Sequence, residues 1–428
     1  MPTPFARVAL LVATVATLES DPAAAIPVFA RIYNKPCGTC HSVFPQLNPA
    51  GEDFRAHGFH GLPAEVKPLR AGGLELPGVL PLAVYSGLGE DFTSARRQSD
   101  SQPTRACSNL DFLSALAGGE LGPHVAFLLD YELLETEPDT CALEVNTLPE
   151  QAYLQAHTET PNWLGNLRLG WFELPLGTSP RIHRLSAAPY LTYALSGCRL
   201  LGTAPPGVDC ADVPVLSQSQ IGGEASLLHP SSGFGASFGI TKGSNNRLDD
   251  QGSPDFYLRI GEQVGFQKLG IFLQYGPDSY GTGPSNQTLQ VGPDLSLYTR
   301  RFRLLAQFLA SFESDPTGRS EELWIYGGFV EGEYRVTATV IGLLRAESAF
   351  NPEFDDTGAG GVTRVRDRLW ALTGGGQWLL RQNLKLVAEV SYEEDRDAAH
   401  DSTTSAWSAT IRAVMAFWLL DPFFGLSS

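Results

Sequence analysis

The chain has 428 residues, of which 43% are hydrophobic, and its formal net charge at pH 7 is −17. So acidic a chain is repelled by nucleic acid and by anionic lipid headgroups, and we expect no nucleic-acid partner. After the N-terminus no run of 18 apolar residues occurs, which excludes a protein that crosses a membrane with helices.

Residues 1–25 are predicted to be a secretory signal peptide. Arg7 provides a thin positive region, residues 8–18 are apolar, and a run of three alanines that ends at Ala25 offers a cleavage site. Acidic residues near this site leave the exact cut open. A buried helix of the mature protein is the alternative, but the pattern favours export.

The segment 26–61 contains the sequence Cys37-Gly-Thr-Cys40-His41. At this spacing two thiols can add to the vinyl groups of a haem while the next histidine lies under the iron. The motif predicts one covalent c-type haem, attached through Cys37 and Cys40, with His41 as an axial ligand. A zinc site would need a second ligand pair, and a redox dithiol would need a βαβ domain that about 35 residues cannot build.

The second axial ligand of the iron is left open by the sequence. Only Met415 remains once the signal peptide is removed, and the alternation of its strand predicts that it faces lipid. His57 and His60 are nearest in sequence, and an Asn-Pro pair predicts a short helix that carries His57 and ends at Gly58. Alternatively, both histidines are exposed polar residues, and the iron is five-coordinate or has another ligand.

Residues 62–77 are predicted to be a linker, because they contain three prolines and a Gly-Gly pair. From residue 78 to residue 428 the pattern has a period of two, which is clearest at 302–312, 334–340, 384–392 and 407–417. Strands of about 9 to 13 residues with one apolar face are typical of an outer-membrane β-barrel. A soluble β-sandwich, the alternative, has strands of about five or six residues.

The connections between these strands support the barrel. Short turns, such as 229–233 and 381–383, alternate with long polar loops, such as 313–321, 349–367 and 393–405, as in outer-membrane barrels. About 17 candidate strands can be counted, whereas bacterial single-chain barrels use even numbers. Tracing the loops from both ends produces a conflict between residues 151 and 215. We therefore expect an all-β, antiparallel barrel of about sixteen strands.

Four further cysteines lie in or beside loop-like segments of the barrel region. In an exported protein the simplest interpretation is two disulfides, Cys107–Cys141 and Cys198–Cys210. Free thiols are the alternative, because connectivity cannot be deduced from sequence alone.

A small α-helical segment of about 35 residues cannot bury a core of its own, even around a haem. A barrel of about sixteen strands has a lumen wide enough to hold it, so we expect the segment inside the barrel or at its mouth. Basic residues predicted to face the lumen are Arg168, Arg259, Arg303, Arg335, Lys385 and Arg412. They could pair with haem propionates or, equally, balance lumen carboxylates such as Glu389.

The N-terminal region resembles a known family through Ala25-x-Pro27-x-Phe29-Ala30-Arg31, the haem motif, Phe44-Pro45-x-Leu47-Asn48 and Gly51-x-x-Phe54. These residues resemble the fused outer-membrane monohaem cytochrome–porins, whose best-known members are iron-oxidising cytochromes of neutrophilic and acidophilic iron bacteria. The match is specific over residues 25–61 and general over the barrel. Residues 55–60 depart from the family, which often has a Gly-aromatic pair there without neighbouring histidines.

The resemblance implies a haem segment fused to a barrel of about sixteen strands in the Gram-negative outer membrane. It implies electron uptake from Fe(II) outside the cell, and hence an Fe(II)-oxidising cytochrome, with a periplasmic cytochrome as the expected acceptor. Acidic clusters at 249–250, 355–356 and 393–395 could concentrate Fe²⁺, or they are ordinary solvated loop charges. The alternatives are a conduit or redox sensor for another donor, electron export, and a diffusion porin with a structural haem.

Overall fold

The structure is a computed structural model. It describes residues 28–60, 69–71, 74–76, 82–97, 100–101, 104–136, 141–145, 148–180, 182–201, 215–242, 254–265, 267–279, 285–316, 322–352, 354–356, 363–365, 367–381, 383–397 and 402–417. The predicted signal peptide lies outside these residues, and of the predicted linker only 69–71 and 74–76 lie within them. No helix in the described part of the chain is long and apolar enough to cross a membrane.

The helices are few and short. They are α1 (Val28–Ile32), α2 (Pro49–Ala56) and α3 (Gly197–Leu201), with 3₁₀ turns at Cys37–Thr39 and Leu191–Ala194. The strands are β1 (His41–Val43), β2 (Gln46–Leu47), β3 (Leu69–Ala71), β4 (Leu74–Leu76), β5 (Leu82–Arg97), β6 (Asp100–Ser101), β7 (Arg105–Gly122), β8 (Val125–Thr136), β9 (Leu143–Val145), β10 (Gln151–Glu159), β11 (Leu164–Phe172), β12 (Gln220–His229), β13 (Phe234–Thr241), β14 (Asp255–Val264), β15 (Gln267–Ser279), β16 (Ser285–Tyr298), β17 (Phe302–Glu313), β18 (Leu323–Arg335), β19 (Val340–Phe350), β20 (Phe354–Asp356), β21 (Thr363–Val365), β22 (Arg368–Arg381), β23 (Leu384–Asp397) and β24 (Ser402–Phe417).

The long strands close into one antiparallel β-barrel. Within the described residues it has sixteen strands, which are β5, β7, β8, β10 to β19 and β22 to β24. The first of these, β5, pairs antiparallel with the last, β24, and this pairing closes the wall. Closure removes the free edges that an open sheet would expose. The expectation of about sixteen antiparallel strands is confirmed.

Three of the four periodic segments noted in the sequence lie in barrel strands: 302–312 in β17, 384–392 in β23 and 407–417 in β24. The prediction of a strand at 334–340 is wrong, because β18 ends at Arg335 and β19 begins at Val340. Between them Thr337 makes a tight turn in which its hydroxyl accepts a hydrogen bond from the backbone N–H of Val340 (3.0 Å). Apolar–polar alternation runs through this turn, so periodicity could not locate the reversal.

The two faces of the wall differ in polarity, as expected of alternating strand residues. In β11 the side chains of Leu167 and Leu169 are 49% and 54% exposed on the outside. Arg168, between them, points into the lumen and pairs with Glu224 of β12 (3.7 Å). Met415 has the opposite parity to lumen-facing Arg412 and so lies on the outer face. An apolar outer face around a closed barrel is the surface that lipid requires.

The two ends of the barrel carry different connections. At one end the strands are joined by short turns, at 123–124, 160–163, 230–233, 265–266, 299–301, 336–339 and 382–383. The other end carries longer connections, including 137–150, 173–219, 314–322 and 351–367. Short turns face the periplasm and longer loops face the outside in such barrels. Both β5 and β24 meet the short-turn end, so the N-terminal segment enters from the periplasmic side.

We call residues 173–219, between β11 and β12, the inward loop. Its described residues contain no strand and fold into the lumen, where Glu389 accepts hydrogen bonds from Ser186 (2.8 Å) and Glu313 accepts one from the backbone of Gly197 (2.6 Å). Buried Arg345 donates to the carbonyl of Pro189 (2.9 Å). This loop explains the tracing conflict between residues 151 and 215, because both β10 and β11 are barrel strands and no strand follows them among the described residues of the loop.

We call residues 28–60 the N-terminal segment, and it lies inside the lumen at the periplasmic end. Contacts with the wall come from different sides of the barrel: Tyr33 with Glu120 of β7 (2.5 Å), Gln46 with Glu333 of β18 (2.6 Å), and Glu52 with Lys268 of β15. Each of these wall residues lies close to the short-turn end of its strand. The segment therefore spans the lumen as a plug.

One predicted disulfide is present, between Cys107 of β7 and Cys141, with a Cα–Cα distance of 5.6 Å. It links β7 to the loop that follows β8, at the extracellular end. Cys198 is also disulfide-bonded. Its predicted partner, Cys210, lies outside the described residues.

Candidate functional site

The Cys-x-x-Cys-His motif forms a compact turn inside the lumen. Residues Cys37–Thr39 are a 3₁₀ turn, and the N–H of Cys40 donates to the carbonyl of Cys37 (3.2 Å). Both cysteines are free thiols and are partly buried. His41 then begins β1, which pairs with β2 through Leu47. The turn and the hairpin place the two sulfur atoms and the imidazole in one small region of the N-terminal segment.

Helix α2 packs directly on the backbone of the motif. Its N-cap, Asn48, accepts a hydrogen bond from the N–H of Gly51 (2.9 Å) and donates its own N–H to the carbonyl of Cys40 (2.9 Å). A Cβ atom at Gly51 would lie 2.1 Å from that carbonyl oxygen. Glycine at this position is therefore required by the close approach of α2 to the motif.

If the motif binds a covalent haem as predicted, we expect Gly51→Ala to reduce the fraction of purified protein that carries it at least several-fold, because the added methyl group pushes α2 away from Cys40. The measurement is haem per barrel, from the visible spectrum against protein concentration. Gly38→Ala is the matched control, since a Cβ atom at Gly38 meets nothing within 4 Å. Equal haem content in the two variants would contradict this assignment.

We call the apolar space beside these residues the motif cavity. It has a volume of about 120 Å³, and Cys37, Cys40 and His41 all line it. The aromatic walls are Phe29, Tyr33, Phe54 and Phe59, whose rings pack on one another with centroid distances between 4.6 and 5.7 Å. From the barrel wall, Tyr85, Leu116 and Leu128 complete it. Such apolar walls are suited to a flat apolar group, such as a macrocycle.

The hydrogen bonding of His41 leaves one of its ring nitrogens available to a metal. Its Nδ1 lies 3.1 Å from the carbonyl oxygen of Pro45, and because that oxygen only accepts, Nδ1 carries the proton. Nε2 then keeps its lone pair for a metal. Burial lowers the pKa of His41 to about 4, so the ring is neutral near pH 7. Two thiols and one neutral imidazole on an apolar cavity are the residue set that a c-type haem needs.

The predicted second ligands, His57 and His60, lie elsewhere. The Nδ1 of His57 is 2.8 Å from the carbonyl of Asp53, its neighbour in α2. The Nε2 of His60 is 2.9 Å from the carbonyl of Gly122, and its ring packs on that of His157 with centroids 4.4 Å apart. Neither residue is among those that line the motif cavity. Their role as iron ligands stays a prediction.

His183, from the inward loop, was not identified in the sequence but lines the motif cavity. Its Nδ1 lies 3.2 Å from the carbonyl oxygen of Pro45, the same oxygen that His41 uses. Burial, and then the nearby Arg55 and His41, lower the pKa of His183 well below its usual value. No local motif marks this histidine, because its position depends on how the inward loop folds back into the lumen.

The basic residues predicted to face the lumen have protein partners. Four pair with carboxylates: Arg168 with Glu224 (3.7 Å), Arg259 with Asp294 (2.7 Å), Arg303 with Glu333 (3.7 Å) and Arg412 with Asp111 (2.5 Å). Lys385 donates to Gln377 (2.9 Å), and Arg335 reaches the carbonyl of Ser42 (3.5 Å). Of the two roles considered for these residues, the pairing with lumen carboxylates is the one that the contacts favour.

Arg55 of α2 differs from these residues. Arg55 lines the motif cavity, and its guanidinium has neither a hydrogen bond nor an ion pair with any residue in the described part of the chain. Burial lowers the pKa of Arg55, which is the sign of a cation held away from water. A partly buried guanidinium without a protein partner is available to an anionic group in the cavity.

A second cavity, which we call the vestibule, lies in the lumen along β5, β7, β8 and β22 to β24 and has a volume of about 630 Å³. The carboxylates that line it are Asp91, Asp111, Glu132, Glu135, Glu150 and Glu389, and the basic side chains are Arg184, Lys385 and Arg412. The carboxylates outnumber the bases two to one, so the vestibule favours cations. It shares Phe44, Pro45, Tyr85 and Ile182 with the motif cavity, and these four residues form the wall between the two spaces.

The acidic clusters noted in the sequence do not form a metal site in the described residues. Residues 249–250 lie outside them, residues 355–356 belong to β20, and residues 393–395 belong to β23 rather than to a loop. In this described part, no group of three or more His, Cys, Asp or Glu side chains is arranged to hold a metal ion.

No protein-family model and no curated protein matches the chain. Among solved structures, an anion-selective porin from Comamonas acidovorans is similar, with a TM-score of 0.52 at 12% identity over 78% of this chain and 99% of that one. The outer membrane channel DcaP of Acinetobacter baumannii is also similar, with a TM-score of 0.51 at 10% identity over 82% of this chain and 100% of that one. At such identities the likeness concerns the fold. The chain has the fold of a porin-type barrel of the Gram-negative outer membrane.

Proposed function

We propose that this protein is an outer-membrane cytochrome–porin that takes up electrons from a cationic donor outside the cell, with Fe(II) as the first candidate. The observation that supports this most directly is the position of Cys37, Cys40 and His41 on an apolar cavity inside the barrel. That cavity is separated by one layer of side chains from the acidic vestibule. The resemblance of residues 25–61 to monohaem cytochrome–porins supports the same proposal.

Four residues would hold the haem. Cys37 and Cys40 would form the thioether bonds, and His41 would bind the iron through Nε2 while Pro45 holds its Nδ1. Arg55 would pair with the propionates, since the other lumen arginines are engaged with protein groups. When bound, the haem supplies one-electron transfer. The surrounding aromatic side chains would exclude water from it and so influence its reduction potential.

A wall of side chains separates a donor in the vestibule from the haem site. It consists of Phe44, Pro45, Tyr85 and Ile182. The ring of Phe44 lies between those of His41 and Tyr85, with centroid distances of 5.5 and 5.7 Å. The hydroxyl of Tyr85 is anchored by both oxygens of Asp130, each at 2.8 Å. A hydrated cation in the vestibule therefore stays on one side of this wall while the electron passes through it.

Fe(II) is favoured by the chemistry of the vestibule. Hard divalent cations take oxygen ligands, and a cleft with excess negative charge raises the local concentration of cations. A diffusion porin, the alternative, is disfavoured because the N-terminal segment and the inward loop both fill the lumen. A conduit for another cationic donor fits the same geometry, so the donor itself must be decided by experiment.

The test is the visible spectrum of the oxidised protein in sealed proteoliposomes, with donors added outside. We expect Fe(II) and hexaammineruthenium(II) to produce the bands of reduced haem, and ferrocyanide to act at least tenfold more slowly at low salt because it is repelled. Raising the ionic strength should narrow this difference, since screening shortens the reach of the vestibule charges. Reduction by dithionite but by none of the outside donors, with rapid solute entry into the liposomes, would reject electron uptake and favour the porin.

A further inference from the structure

We propose that His183 is a positioning residue that weakens the electron donation of His41 to the haem iron by sharing the Pro45 carbonyl. This inference rests on the proposed function, because it assumes that the motif cavity holds a haem. It concerns a residue that lies in the inward loop, far from the Cys-x-x-Cys-His motif in sequence. It also bears on the second axial ligand, for which His183 would otherwise be an obvious candidate.

The geometry starts from one oxygen atom. The Nδ1 atoms of His41 and His183 lie 3.1 and 3.2 Å from the carbonyl oxygen of Pro45. A carbonyl oxygen only accepts, and it has two lone pairs, so both rings donate an N–H to it.

This arrangement places His183 on the same side of the iron as His41. If two histidines bind one iron from opposite faces through Nε2, their Nδ1 atoms point away from the iron in opposite directions. Two such atoms cannot approach a single oxygen. The Pro45 oxygen contacts Nδ1 of His41, on the side of that ring that would face away from the iron. The ring of His183, which shares this oxygen, would therefore also lie on that side. His183 is therefore excluded as the second axial ligand while both hydrogen bonds are present.

The position of His183 is fixed by the barrel wall. Glu173, directly after β11, accepts hydrogen bonds from the N–H of Ile182 (2.8 Å) and the hydroxyl of Ser179 (2.8 Å). That hydroxyl in turn accepts from the N–H of His183 (2.9 Å). Because this network holds the ring of His183 in place, its N–H is already positioned for the hydrogen bond to Pro45 in both oxidation states of the haem.

The electronic effect follows from competition for the carbonyl. When a carbonyl accepts a hydrogen bond from the Nδ1–H of a ligand histidine, it polarises that N–H bond. The imidazole then donates more electron density to the metal through Nε2. When a second N–H shares the same oxygen, each hydrogen bond is weaker, and the ring of His41 donates less. Weaker donation removes more stabilisation from Fe(III) than from Fe(II), so His183 would raise the reduction potential of the haem.

The test is a spectroelectrochemical titration of the full-length haem protein with two substitutions at one position. His183→Leu removes the donor, and His183→Asn keeps an N–H near the position of Nδ1. At a fixed solution potential we expect His183→Leu to shift the ratio of oxidised to reduced haem about threefold to tenfold toward the oxidised form, tenfold being 59 mV for one electron. His183→Asn should stay within about twofold of the wild type.

The spectrum separates this role from ligation. In both variants the ligand-field bands of the oxidised haem should match the wild type, because the number of iron ligands is unchanged. A change of spin state in His183→Leu, or a potential that is unchanged or higher, overturns the inference. If His183→Leu does not fold, Ser179→Ala, which frees the turn, should move the potential in the same direction by a smaller amount, and no shift there overturns it equally.

The proposed function fails in a different way. A purified wild-type protein without covalent haem, or one that no external donor reduces, would reject the proposed function whatever the substitutions at His183 do. A haem protein that is reduced from outside, but whose potential ignores His183, would reject only the role of the shared carbonyl.

Discussion

Replacing both Cys37 and Cys40 with serine is expected to abolish covalent haem and all reduction by outside donors, while the barrel still folds. Serine hydroxyls cannot add to vinyl groups as thiols do, so a haem could be held only by His41. The wall does not depend on these side chains, since it is closed by the β5–β24 pairing. The measurements are haem staining after denaturing electrophoresis, the visible spectrum, and the folded-barrel band in unheated samples.

The matched control uses the other cysteine pair. Replacing Cys107 and Cys141 with serine removes a disulfide at the extracellular end and leaves the motif intact. This control should retain one covalent haem per chain and reduction from outside. Covalent haem in the variant that lacks Cys37 and Cys40, or its loss in the control, would show that the motif has been assigned wrongly.

The second large effect concerns stability. Arg345 of β19 is 1% exposed and pairs with Glu331 (3.4 Å) and Glu347 (2.5 Å), whose side chains are 0% and 2% exposed. It also lies over the ring of Tyr190 in the inward loop, 4.4 Å from the centroid. Arg345→Met leaves two buried carboxylates without their cation, and we expect it to lower the free energy of unfolding by about 3–5 kcal/mol.

Urea unfolding in lipid vesicles, followed by tryptophan fluorescence, measures this loss. Arg412→Met is the control, because its pairs with Asp111 and Asp91 lie in the vestibule with side chains that are 16–17% exposed. Water reaches these groups, so the control should lose only about 1 kcal/mol or less. Similar losses in the two variants would mean that the Arg345 group is hydrated and is not a buried ion network.

The barrel could be predicted because its physical cause is local. A lipid-facing strand must alternate, and this shows in the sequence at 384–392 and 407–417 without knowledge of any partner strand. The same signal failed at 334–340, because alternation does not reveal where the chain reverses. It also failed between β11 and β12, because an inward loop buries apolar residues such as Leu191 and Leu195 much as a strand does.

The candidate site could be predicted only in its local part. Cys37, Cys40 and His41 are adjacent in sequence, so their spacing alone indicates their chemistry. His183 comes from a loop whose path is set by contacts with lumen residues of β17, β19 and β23, which no motif records. The free state of Arg55 depends likewise on which arginines the strand registers bring next to carboxylates. Such information is contained in the tertiary structure alone.

The seam between β5 and β24 has a consequence for biogenesis. The wall is complete only when the last strand, residues 402–417, pairs with the first, and the N-terminal segment then lies enclosed within it. In the closed barrel an attachment apparatus would have to reach the thiols of Cys37 and Cys40 through the lumen. We therefore expect haem attachment to precede insertion, while the precursor is still in the periplasm. A shortage of haem would then lead the cell to insert barrels whose lumen is filled but which carry no redox centre.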